Sequence, residues 1–154
     1  MNTSETISFT ALLISVVGWI VSYGNSARLA QRTRCQSRLD DAEDLAFEIA
    51  SELNAHLMLQ GSAPGADDRR RSLQTKSSRL RLIVNDVFEQ KLSPEVREHL
   101  YDLWEYSTTG PAVDPKYPGM PPDDRLFQDI HRTARALVEA SRSELKKKSW
   151  WRAS

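Results

Sequence analysis

Cysteine is almost missing from this chain of 154 residues, where Cys35 stands alone. That excludes an intramolecular disulfide framework and any cysteine-clustered zinc site. Histidine is scarce too: His56, His99 and His131 are the three present, and none has a histidine or cysteine partner at i+3 or i+4. No metal is therefore expected. A glycine-rich phosphate loop, a Gly-x-Ser-x-Gly elbow and a His-Glu-x-x-His helix are all missing, so no cofactor is expected and a non-enzymatic role leads. Net charge is missing as well, 21 basic residues balancing 21 acidic ones. Bulk charge thus argues against nucleic acid as a partner. Five of the seven prolines fall between Thr108 and Pro122, and no useful stretch alternates polar with apolar residues. An all-α fold follows.

What is present is uneven. No charge occurs between Glu5 and Arg28, and Ile7 to Tyr23 is the apolar heart of that stretch. As a helix the charge-free residues would extend roughly 33 Å, matching a hydrocarbon core of about 30 Å. The stretch lacks the basic leader and the Ala-x-Ala-like exit of a cleaved signal peptide. A retained transmembrane helix is expected. Arg28, Arg32, Arg34 and Arg38 follow it with no acid among them. The positive-inside rule then places the N-terminus outside and the rest in the cytoplasm, as a single-pass inner (plasma) membrane protein. Trp19 and Tyr23, with Arg28 and Arg32, would lie at the inner interface.

The same stretch carries a seam. Ser8, Ala11, Ser15, Gly18, Ser22 and Asn25 recur at spacings of three and four, a stripe of small residues on which a partner helix could pack closely. The opposite face, with Phe9, Leu12, Leu13, Val16, Trp19, Ile20 and Tyr23, is bulky. Self-association into a homo-oligomer is the expected use of the seam, and a ring of such helices could enclose a narrow pore.

Beyond the basic collar the apolar period is helical. Leu39, Ala42, Leu45, Ala46, Ile49, Ala50, Leu53 and Leu57 form one stripe. Only Gly24 interrupts the run before it, so this helix and the membrane helix are read as possible parts of one. Gly61 to Asp68 is a turn with Asp67 or Asp68 as cap, and Ser93-Pro94-Glu95 is a helix start. Asp123 or Asp124 opens the last helix. The expected organisation is an anchor at 1–27, a collar at 28–38 and a cytoplasmic four-helix bundle at 39–148. Its helices would cover about 39–60, 69–91, 94–107 and 123–148, followed by a tail at 149–154. Glu48 and Glu52 should face Lys76, Arg79 and Arg81 across the first hairpin. Arg69 to Arg71 should stand solvated at its tip. Four helices bring the C-terminus back toward the membrane, so Lys146, Lys147, Lys148, Trp150 and Trp151 read as a second interfacial contact.

One catalytic spacing occurs. Arg125 and His131, on the last helix, resemble the Arg-x(4–6)-His motif of HEPN ribonucleases, which are helical bundles. With the N-terminal anchor, the whole chain resembles small single-pass membrane accessory and effector proteins of bacterial antiviral, CRISPR-associated systems with HEPN-like bundles. That resemblance implies an effector that permeabilises a membrane, with a soluble protein or an RNA-guided complex as partner. A membrane-tethered scaffold and a HEPN-type ribonuclease are the alternatives.

Overall fold

A computed structural model describes residues 3–121 and 124–147, with side chains from residue 14 onward. The chain is all-α: α1 spans Thr3–Leu57, α2 Ala66–Val87, α3 Pro94–Thr108 and α4 Arg125–Lys147, with a 3-10 turn at Gly110–Ala112. It divides into two units, Met1–Gln36 and Ser37–Ser154.

The second unit is a four-helix bundle built from the end of α1 with α2, α3 and α4. Its core is what the helical period selects. Leu39, Ala42, Leu45, Ala46, Ile49, Ala50, Leu53 and Leu57 of α1 are all buried. Buried as well are Leu73, Leu80, Val84 and Phe88 from the second helix and its end, Val96 and Leu103 from α3, and Ile130, Ala134 and Leu137 from α4. Each fully buried leucine, isoleucine or phenylalanine contributes about 1.5–3 kcal/mol relative to exposure. Ion pairs sit at the edges. Lys76 of α2 binds both Glu48, at 2.9 Å, and Glu52 of α1. Arg142 of α4 binds Glu43 and lies 3.6 Å from Asp40.

The starts of the helices show how the turns are made. Ser93 caps α3 with its hydroxyl accepting from the Val96 amide, and Pro94 follows at the first helical position. Asp124 accepts from the Leu126 amide at 2.9 Å and opens α4. At α2 the expectation fails: neither Asp67 nor Asp68 is the cap. Gly65 is, in a left-handed conformation with φ 79°, and both aspartates lie inside the first turn. There they still oppose the positive end of the helix dipole.

The N-terminal unit corrects the sequence reading. Among the described residues no helix is long and apolar enough to cross a membrane. Ser15, Ser22, Asn25 and Ser26 place polar side chains in the run ahead of Arg28. The transmembrane helix is therefore overturned. The single-pass topology, the pore, the membrane as partner and the inner-membrane localisation rested on that helix and go with it.

Candidate functional site

Two surfaces stand out, one in each unit. In the first unit the described apolar side chains are exposed on more than one side of the helix. Ile14, Trp19 and Tyr23 keep 67–69% of their surface, and Val17, Ile20 and Val21 keep 56–58%. Trp19 and Tyr23, one turn apart, stack with ring centroids 5.7 Å apart. The exposed residues fall in two stripes. Val16, Trp19, Ile20 and Tyr23 follow the i, i+3, i+4, i+7 pattern of a helix–helix seam. Ile14, Val17 and Val21 make a second stripe, about 140° around the helix from the first. Gly18, Ser22 and Asn25 of the expected small-residue seam line a shallow depression between these stripes, together with Val21, Ser26 and Leu29. A side chain added at Gly18 would meet nothing within 4 Å. Ser8 and Ala11 lie outside the residues with described side chains.

In the second unit a groove of about 420 Å³ opens between α2 and α3. Its α2 wall carries Arg81 and Asn85, one turn apart, and its α3 wall carries Arg97, Tyr101 and Trp104. Leu92 and Leu100 supply apolar surface, and Gln90 completes the lining. The tight α2–α3 connection sets this geometry: Glu89 and Gln90 both take positive φ, 52° and 63°. For residues with a Cβ that conformation costs of order 1–2 kcal/mol each. The Tyr101 and Trp104 rings lie 5.9 Å apart at a tilted angle.

The other residues that the sequence singles out fare differently. Arg125 and His131 are both exposed on α4. Phe127, Ile130 and Ala134 take the buried positions around them. Six helical positions set the pair about 120° apart around the axis and about 9 Å along it, so within one chain they do not converge. Arg28 is exposed and Arg32 half-buried, while Lys146 and Lys147 are exposed on the last turn of α4. Lys148, Trp150 and Trp151 lie outside the described residues. Among the described residues no group of histidine, cysteine and carboxylate side chains could hold a metal ion. Lys76 is the cation that meets Glu48 and Glu52; Arg79 and Arg81 make no ion pair with them among the described residues. Its hydrogen bonds to Glu52 and then Glu48 hold its ammonium above the usual lysine range.

Sequence reasoning missed the residues that fasten the loops. Arg70, expected at a solvated tip, keeps only 14% of its side chain exposed. It donates to the Gly61 carbonyl at 2.6 Å and to Asp67 at 2.5 Å. His56 is buried and donates from Nε2 to the Ala112 carbonyl at 2.9 Å, tying the 3-10 turn to the end of α1. The Met120 amide donates to the Leu57 carbonyl at 2.8 Å. The proline-rich loop thus satisfies a carbonyl that the end of a helix leaves open. Polar residues on otherwise apolar stripes were the available signal, and His56, three residues after Leu53, is one.

The resemblance to membrane effectors of antiviral systems falls with the span on which it rested, and the lone Arg125/His131 spacing does not restore it. No family model, no curated protein and no solved structure matches the chain.

Proposed function

We propose that this protein is a non-enzymatic assembly module, self-associating through the N-terminal part of α1 and displaying its four-helix bundle for recruitment. The exposed apolar surface of Ile14–Tyr23 is the observation that carries the reading. Among the described residues the first unit is one helix and holds nothing of its own to cover these side chains. A helix with two exposed apolar stripes is unstable alone in water, and such stripes are normally buried by neighbours. A second copy suits it, because the stretch from Thr6 to Ala27 has no charge to repel an identical helix. In water the driving force is removal of apolar surface. The bulky stripe of Val16, Trp19, Ile20 and Tyr23 is therefore the contact, and the small-residue seam is secondary. Two stripes on one helix need two neighbours, so the assembly exceeds a dimer.

Chemical crosslinking of the full chain tests this with two substitutions. Ile20→Asp places a charge in the bulky stripe and should abolish crosslinked oligomers. Gly18→Leu alters only the small-residue seam and should leave them. Loss of oligomers with Gly18→Leu but not with Ile20→Asp would put the contact on the wrong face.

A further inference from the structure

We propose that the groove between α2 and α3 binds an acidic peptide segment of a partner protein, one that sets an apolar side chain between carboxylates. The charge of the walls points to an anion. Arg81 and Arg97 line the groove from opposite sides with no acidic side chain among the lining residues. Neither meets a carboxylate among the described residues; Arg97 reaches only the Leu92 carbonyl, at 3.5 Å. Guanidinium groups left open in this way bind carboxylates through charge-assisted, often paired hydrogen bonds. Two of them on separate helices suit a ligand with more than one carboxylate.

The floor asks for an apolar group. Leu100 lines the groove with Tyr101 and Trp104 and is buried, while Tyr101 keeps 56% of its surface open. Tyrosine, tryptophan and arginine are the residues that dominate binding energy where proteins recognise each other. Asn85 and Gln90 add carboxamides, each both donor and acceptor, the complement of a peptide bond. Nucleic acid also stacks on aromatic rings beside arginine. Outside the groove, however, the same two helices and their connection expose Asp86, Glu89, Glu98 and Glu105. A phosphodiester chain leaving the groove would run against these carboxylates. A peptide can place its charges only where the arginines stand.

The test uses the full chain and a fluorescein-labelled, end-blocked hexapeptide with leucine and phenylalanine between two pairs of glutamates. Fluorescence anisotropy should show saturable binding. Arg81→Gln and Arg97→Gln should each weaken it about tenfold, in line with loss of a charge-assisted contact. Both side chains are exposed, so circular dichroism should show the helices intact. Trp104→Ala should weaken binding too, while Arg132→Gln on α4 should not. No binding at millimolar peptide would overturn the proposal, as would unchanged affinity in the double arginine variant. Equal or tighter binding of a peptide with lysines in place of the glutamates, or of a uridine oligonucleotide, would do the same. Because Ile20→Asp leaves the groove untouched, peptide binding by that variant separates this site from the assembly reading.

Discussion

Three buried serines decide how far residue-level reasoning reaches. Ser77 sits between Leu73 and Leu80, Ser107 follows Leu103 by one turn, and Ser141 falls between Leu137 and Leu145; all three are buried. Helical period marks each position as interior, while the hydroxyl disguises it. Ser107 donates to the Trp104 carbonyl at 2.9 Å, which leaves Ser77 to donate to Ser107 at 2.7 Å. Ser141 Oγ has no partner among the described residues. A buried polar atom without a hydrogen bond costs about 1–3 kcal/mol, whereas a satisfied one contributes about 1 kcal/mol. Ser141→Ala should therefore raise unfolding stability by about 1 kcal/mol in a urea titration. Ser77→Ala should lower it by about 1 kcal/mol, and replacing Ser77 and Ser107 together should cost less than the two single losses added. Apolar residues were easier to read. Every α1 position of the stripe from Leu39 to Leu57 is buried because side chains at three and four positions share one face.

At the scale of elements, helices were legible and their fastenings were not. Five prolines mark Thr108 to Pro122 as a loop, yet nothing local says that it returns to cap α1. The capping bond from the Met120 amide to the Leu57 carbonyl is backbone to backbone and carries no side-chain signature, and only the His56 contact to the Ala112 carbonyl hints at it. Gly61 is its tightest point. Its amide donates to the Tyr117 carbonyl at 2.7 Å, and a Cβ there would press into the Asp114 carbonyl and lie 2.9 Å from the Pro115 carbonyl carbon. Gly61→Ala should destabilise the bundle by roughly 1–3 kcal/mol, read as a fall in Tm. The α1–α2 contact adds a dependence on pH. Lys76 is held above the ordinary lysine range by Glu52 and Glu48. Burial, followed by Asp102, pushes the Tyr106 phenol up, and burial with Asp124 does the same for Tyr117. In each case the folded state holds its proton more tightly than the unfolded chain. The associated stability is complete below the unfolded values near pH 10 and is lost as pH rises through the folded ones. Denaturation midpoints should hold through neutral pH and fall above about pH 10, less steeply in Lys76→Met.

For the whole molecule, the zero net charge and modest apolar content gave no warning of how unevenly the apolar surface is placed. The second unit buries its isoleucines and most of its leucines within itself, although Leu82 is exposed. The first exposes Trp19, Tyr23 and their neighbours around a single helix. The sequence showed this concentration plainly, and length at apolar composition suggested a membrane; among the described residues no helix is long and apolar enough to cross one. Spacing did place the small residues on one side and the bulky ones on another. It could not say which side is the contact, because that depends on the surrounding medium: small residues pack helices within lipid, whereas bulky ones drive association in water. The α2–α3 groove was hidden for another reason, since Arg81 and Arg97 come together only through the turn at Glu89 and Gln90. Assembly would present several such grooves at once and raise the apparent affinity for a multivalent partner well above that of one site. Sedimentation equilibrium of the full chain in aqueous buffer tests the central claim most directly. A mass above that of a dimer, reduced to the 17.5 kDa monomer by Ile20→Asp, is the predicted result. A monomer at every concentration, or an oligomer indifferent to Ile20→Asp, would contradict it.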